Sequence, residues 1–280
     1  MRRRKRKLNK RLLLRLLLRM GLLLSLCIGL FWAGSSAVSF LIGKDDAAHA
    51  AHTEASAPAA SGSDDPGTAH RLHRLLFLKE AVRQSVRPAR YVAISDTPPA
   101  LRQAFVAVED RRFYEHHGFD PGGIARAMFV NLQSGEIEEG ASTITQQLAK
   151  NLFLSQEQTF GRKAEELLLA LDLEWNYSKD EILELYLNSI YFGSGYYGIY
   201  DAAQGYFGME PSELKLPEST MLAGLPNAPS LYSPYVDFLA AKKRQFIVLD
   251  AMHDSGFISE KLCEDAKIRP INLVHGKERN

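Results

Sequence analysis

The stretch Ala104–Asp120, AFVAVEDRRFYEHHGFD, decides how the chain is read. It begins as an apolar run with Leu101, Phe105 and Val108 at helical spacing, then turns to charge and aromatics. Thr97-Pro98-Pro99 ahead of it supplies a helix start with proline in the first turn. Glu109 follows Val108 and stands four residues after Phe105, so a helix carries it at the edge of the buried face. A partly desolvated carboxyl has a raised pKa, which suits a general base. The plainer reading is a surface acid at a helix end. Asp110 points about 100° away on the same helix and is expected to brace the turn at Arg111-Arg112.

The segments beyond continue the helical pattern. Asp120-Pro121 offers an N-cap acid and a first-turn proline before an apolar stripe of Ile124, Met128 and Leu132. Residues 142–153 and 160–177 read as two more helices, the second with Leu167, Leu168 and Leu171 as its apolar residues. Ser178-Lys179-Asp180-Glu181 has the form of a capping box ahead of Ile182, Leu185 and Tyr186. Helices are expected over 217–225, 237–254 and 259–267, with Gly256 as a C-terminal stop. Strand signals are sparse, so the expected fold class is mainly α.

Two of these helices carry unusual polarity. GASTITQQLAKN, residues 140–151, sets Ser142, Thr143, Thr145, Gln146, Gln147, Lys150 and Asn151 around an apolar stripe of Ile144, Leu148 and Leu152. Gln146 and Lys150 share one face, Thr143 and Gln147 another. Hydroxyls, carboxamides and an ammonium suit a sugar or phosphate ligand; the alternative is an ordinary polar face. GRKAEELLLALDLEW, residues 161–175, pairs Arg162 with Glu166 at i,i+4 and Lys163 with Glu166 at i,i+3. As surface pairs these stabilise a helix by about 0.2–0.5 kcal/mol each. As a site they are cations for a phosphate, oriented by a carboxylate that can also hold a divalent metal.

The 280 residues are 46% hydrophobic and 24% charged, enough for one or two domains with a real core. The net charge of +1 conceals an asymmetry. Residues 1–19 hold ten Lys or Arg and no acid, leaving 24 bases against 33 acids in the remainder, a net of −9. A net-acidic body argues against nucleic acid as a partner. Residues 20–43 carry no charge, and about 20 apolar residues suffice to span a bilayer as helix. The preceding bases would stay in the cytoplasm and place the body on the outer side. A signal peptide cut near Ser35-Ser36-Ala37 is the rival, but its apolar region is ordinarily about 7–15 residues. Residues 44–70, rich in Ala, Ser, Asp, Gly and Pro, read as a flexible linker. His49, His52 and His70 lie in it without Cys or carboxylate at ligand spacing and read as linker residues. The folded body is expected over 71–270, with a tail at 271–280.

Familiar catalytic motifs are set aside on context. Gly193-Ser194-Gly195-Tyr196-Tyr197-Gly198 matches G-x-G-x-x-G but follows a helix pattern rather than a strand. Ser212-Glu213-Leu214-Lys215 matches S-x-x-K without a downstream K-T-G or S-D-N. Cys27 and Cys263 do not suggest a disulfide framework or a zinc site.

Five segments in order resemble the peptidoglycan glycosyltransferases, the polymerase domain of bifunctional penicillin-binding proteins and its monofunctional relatives. They are EDRRFYEHHGFD, GASTITQQLAKN, RKAEE, KDEILELYLNSIYFG and LAGLPNAPSLYSP, within residues 93–258. The resemblance implies a lysozyme-like, two-lobed helical domain with a cleft beside the membrane. It implies lipid II and the growing glycan strand as substrates, the bilayer as a partner, and other cell-wall synthesis proteins as further partners. Glu109 becomes the general base for an inverting transfer to the acceptor 4-hydroxyl. Glu166 becomes a second catalytic acid, and both are candidate ligands for Mg²⁺ or Mn²⁺. Ser142, Thr143, Gln146, Gln147, Lys150, Asn151, Arg162, Lys163 and Asn188 become substrate-binding residues, with Tyr191 a support or a core residue. The apolar residues around Met128, Phe129 and Val130 face either lipid or core. Ala141 stands where the family usually has glycine, Gln158 where it often has arginine, and Glu165 beside Glu166 leaves the register of that motif open. About 45 residues follow the fifth motif, so the resemblance is to a monofunctional enzyme. A muramidase-like hydrolase and a non-catalytic membrane scaffold are the rival readings.

Overall fold

The computed structural model describes residues 77–86, 88–134, 142–154 and 160–274. The basic segment 1–19, the spanning candidate 20–43, the linker 44–70, Ala141, Gln158 and residues 275–280 lie outside the described residues. The helices are α1 (Leu78–Ser85), α2 (Pro99–Glu109), α3 (Pro121–Ser134), α4 (Ile144–Phe153), α5 (Phe160–Asn176), α6 (Lys179–Ser189) and α7 (Gly198–Phe207). They continue as α8 (Leu216–Gly224), α9 (Pro229–Tyr232), α10 (Phe238–Asp254) and α11 (Glu260–Ile268), with short 3₁₀ turns at Ile94–Asp96, Pro211–Glu213 and Leu225–Asn227. Among the described residues the β contribution is one isolated bridge, Tyr191 to Tyr197. No helix among them is long and apolar enough to cross a membrane.

Local chemistry accounts for most of the boundaries. Ser178 caps α6 in a reciprocal box with Glu181, and Thr143 does the same for α4 with Gln146. Asp237 and Ser259 cap α10 and α11. Proline occupies the first turn of α2 and α8, where its missing N–H removes no helical bond.

The core forms around α2, which packs on α8 and α10, while α4 packs on α5 and α6. Phe105 of α2 joins the two groups. Its ring meets Tyr186 and Phe192 edge-on, with centroids 6.0 and 6.1 Å apart. Such contacts add about 0.5–1.5 kcal/mol beyond area burial. Leu101, Ile144, Leu148, Ile182, Leu222 and Val248 complete this centre, all fully buried.

The structure departs from the sequence reading in several places. α5 buries Glu166, Leu169, Ala170 and Leu173, whereas Leu167, Leu168 and Leu171 are half-buried. The run of leucines covers more than one face, so composition alone did not select the inward side. On α3, Ala127 is buried, but Phe129 and Leu132 are 67% and 75% exposed. An apolar stripe says which side prefers cover, not what provides it. Helix α7 was not anticipated because Gly198 and Gly205 break its pattern; the ring of Tyr196 occupies the place a Cβ on Gly205 would need. α1 was not anticipated either. The chain also stays on the body past residue 270, since Val274 N–H donates to the Tyr206 carbonyl at 2.8 Å.

Candidate active site

Helix α2 ends at Glu109, and the chain leaves helical geometry at Asp110. Asp110 is buried. Its Oδ1 and Oδ2 lie 3.0 and 2.8 Å from His116 Nε2, and Oδ2 accepts from the Ile144 N–H at 3.0 Å. Ile144 opens α4, so an acid at the end of one helix satisfies a donor at the start of the next. The expected brace of Arg111-Arg112 is not what Asp110 provides. Arg111 pairs with Asp254 at 3.9 Å, and Arg112 with Asp120 at 3.2 Å. A buried helix start has unsatisfied N–H groups that need an acceptor more than solvated guanidiniums do.

Thr143 and Gln146 complete the same junction. Thr143 Oγ1 accepts from the Gln146 N–H at 3.1 Å, and Gln146 Oε1 accepts from the Thr143 N–H at 3.0 Å. The Thr143 hydroxyl donates to the Gly118 carbonyl at 2.8 Å. Both side chains are buried, and these bonds hold the start of α4.

Glu109 is half-buried. Its Oε2 accepts from Gln147 Nε2 at 2.8 Å, and Gln147 Oε1 accepts from the Tyr186 hydroxyl at 3.1 Å. Glu109 Oε1 is buried without a hydrogen-bond partner among the described residues. Burial raises the Glu109 pKa; the Gln147 bond and the charges of Arg244 and Lys150 oppose the rise, and Asp110 adds to it. The net direction is upward, with burial the largest cause.

Beside it lies a cluster of cations. Lys150, on α4, is half-buried. Burial lowers its pKa, Arg162 and Lys163 add to that, and the charges of Glu166 and Glu109 work against it. Glu166 is buried. Lys163 Nζ contacts its Oε1 directly, Arg162 lies 4.0 Å from its Oε2, and Lys163 also donates to Ser142 Oγ at 3.3 Å. Glu165 is only half-buried, so the buried acid of this motif is Glu166. Ser142, Gln147, Lys150, Arg162, Lys163, Glu166 and Glu109 thus belong to one neighbourhood across α2, α4 and α5.

Other expected site residues sit differently. Asn151 is exposed. Asn188 serves the fold: Oδ1 accepts from the Val92 N–H, and Nδ2 donates to the Val92 and Glu184 carbonyls, each at 2.8 Å. Asn188→Ala would leave two buried backbone groups of Val92 unpaired, at roughly 1–3 kcal/mol each. The variant is expected to be about 2–6 kcal/mol less stable in urea unfolding. Tyr191 stacks on Tyr197 with centroids 4.7 Å apart, and its hydroxyl accepts from the Gly195 N–H at 3.2 Å.

Arg244 of α10 was not foreseen. Its charge acts on Glu109, its Nε donates to the Gly224 carbonyl at 3.4 Å, and its guanidinium lies 5.8 Å from the Tyr232 ring centre. A Cβ on Gly224 would come within 2.9 Å of Arg244 Cγ, so the glycine makes room for the arginine stem. The signal was present in Lys242-Lys243-Arg244. Only Arg244 falls three residues after Ala241 and four before Val248, both buried.

The family model described as Transglycosylase matches residues 78–253. "Penicillin-binding protein 1F" of Bacillus subtilis (strain 168) is 47% identical over 189 residues, 68% of this chain and 26% of that protein. "Penicillin-binding protein 1A" of Aquifex aeolicus (strain VF5) is 48% identical over 183 residues, 65% of this chain and 25% of the relative. "Penicillin-binding protein 1A" of Escherichia coli (strain K12) is 49% identical over 181 residues, 65% and 21% of the two chains. The chain spans 21–26% of the length of these curated relatives. The matched region contains Glu109, the α4–α5 cation cluster and Arg244, and the chain belongs to the transglycosylase family.

Proposed function

We propose that the protein is a peptidoglycan glycosyltransferase that polymerises lipid II into glycan strands. The observation that carries this reading is the half-buried Glu109, held by Gln147 and acted on by Lys150, which in turn shares its surroundings with Arg162, Lys163 and Glu166, in a chain that matches the transglycosylase model. Glu109 accepts the proton of the acceptor's 4-hydroxyl as that oxygen attacks C1 of the donor sugar. The C1–oxygen bond to the diphosphate breaks as the β-1,4 bond forms on the opposite face. The cations stabilise charge growing on the departing diphosphate, and they are already oriented by Glu166 before substrate arrives. Gln147 holds Glu109 Oε2, leaving Oε1 as the proton acceptor.

The helical body is consistent with a lysozyme-like, two-lobed domain. We place it on the outer face of the bacterial inner membrane, tethered by residues 20–43 through the linker 44–70, with the lipid tail of the substrate kept in the same bilayer. The exposed Phe129 and Leu132 support contact between α3 and lipid.

The chain's own residues are a poor fit for Mg²⁺ or Mn²⁺ at Glu109 and Glu166. Both oxygens of Glu166 already face side-chain cations, and Glu109 has one oxygen without a partner. A site with one open oxygen falls short of what these ions require, and no step here passes through a metal.

The test is incubation of the purified full chain with lipid II, with Mg²⁺ and with a chelator. Polymer and released undecaprenyl pyrophosphate support the proposal. Soluble muropeptides from preformed sacculi would indicate a hydrolase instead, and no product from either substrate would indicate a scaffold. Arg244 gives a second check. Its cation holds the Glu109 pKa down, so Arg244→Leu is expected to move the acid limb of the kcat/KM profile to higher pH. An unmoved limb would separate Arg244 from the base.

A further inference from the structure

The corner between α9 and α10 exposes large apolar side chains that the proposed transfer does not use. Leu231 is 52% exposed, Val236 69%, Phe238 43% and Leu239 64%. All four lie within nine residues of sequence. The corner is tight: Val236 and Asp237 N–H groups donate to the Ser233 carbonyl at 2.9 and 3.0 Å, and the buried Ser233 hydroxyl bonds Ser194 Oγ at 2.6 Å. A corner so fixed cannot fold these side chains inward. A soluble surface tolerates scattered apolar residues, but a cluster of this kind marks an interaction site.

The charges around the corner indicate what it meets. One turn after Leu239 on the same face comes Lys243, exposed and without an ion-pair partner among the described residues. Lys242, one turn after Phe238, donates to Gln245 and to the Arg269 carbonyl. The nearby acid, Asp237, accepts from the Ala240 N–H at 2.9 Å and faces the positive end of α10. The acids of α10 lie at its other end, where Asp250 pairs with Lys267 and Asp254 with Arg111. Apolar residues at the tip with lysine one turn behind are the arrangement of a bilayer interface, where the lysine reaches back to phosphate.

We propose that the α9–α10 corner, Leu231 to Lys243, docks into the surface of a bilayer carrying anionic lipid. Arg244 follows on the next position of the same helix, about 7.5 Å along the axis from Leu239 at the usual rise. Docking of the tip therefore sets Arg244, and the Glu109 it acts on, near the depth of the headgroup phosphates. That is the depth at which a diphosphate joined to a membrane-held tail presents itself. This last step rests on the function proposed above; the docking itself does not.

The test uses the full chain reconstituted in vesicles of phosphatidylcholine and phosphatidylglycerol, with Cys27→Ser and Cys263→Ala. A polarity-sensitive fluorophore is placed through Leu239→Cys, and in a second chain through Ile268→Cys, an equally apolar exposed site on α11. Loss of emission to lipid-borne bromine at 239 and not at 268 supports the proposal. Lys243→Gln is expected to weaken the docked state about fivefold, the worth of one lysine at an anionic surface, and to do so only when phosphatidylglycerol is present. A label at 239 as water-accessible as that at 268 overturns the proposal. So does a label shielded from water yet untouched by brominated lipid, which would mean that protein covers the corner. Because depth is read without substrate, a chain that docks but does not polymerise lipid II refutes the function and leaves the docking intact.

Discussion

Glu109→Gln is expected to slow glycan polymerisation by about 10²–10⁴-fold, the usual contribution of a positioned general base. Glutamine keeps the shape, and its carbonyl oxygen still accepts the Gln147 bond seen at Oε2, so the loss belongs to kcat rather than to binding. The same variant should be the more stable protein. The Glu109 pKa is raised in the fold, chiefly by burial. A carboxyl whose folded pKa exceeds its unfolded value holds its proton more tightly when folded, so stability falls as pH rises through that interval. Glutamine does not titrate. Its melting temperature should exceed the parent's at pH 8, and the gap should close as pH drops below the unfolded value of about 4.3. A Glu109→Gln chain that polymerises at the parent rate would end the assignment of the base.

Lys150→Met should cost about 10²–10³ in kcat, the scale found when one preorganised electrostatic contact is removed from a developing charge. Lys150 is held half-buried among Glu166, Arg162, Lys163 and Glu109, and its pKa is lowered chiefly by burial. The fold thus holds a cation in a place that disfavours it. Methionine keeps the length and drops the charge, so the unfolding midpoint should not decrease. A large drop in both rate and stability would recast Lys150 as a structural counter-ion. A rise in KM at constant kcat would mean that it binds substrate and transition state alike.

The readability of this chain from its residues was uneven, for physical reasons. The box of Thr143 and Gln146 was hidden in a run read as helix from Ser142; the helix start at Ser178 was clear, because a capping box is local and both partners lie within four residues. The edge position of Glu109 followed from Val108 and Phe105 for the same reason. What could not be read was contact between distant elements. Arg244 acts on Glu109 from another helix, a relation between distant elements that no local pattern carries. Thr143, Gln146 and Asn188 carry groups suited to sugars, yet their hydrogen bonds run to backbone amides and carbonyls. A hydroxyl or carboxamide has the same chemistry in a ligand site and in a helix cap. On α5 the leucine run concealed which side turned inward, and the buried side proved to carry Glu166.

The bond that Asp110 Oδ2 accepts from the Ile144 N–H joins two helices that each carry a charge of the site. It ties the end of α2, which carries Glu109, to the first turn of α4, which carries Lys150. The register between the two helices is therefore held by a side-chain carboxylate and a backbone amide, apart from the charges of the site.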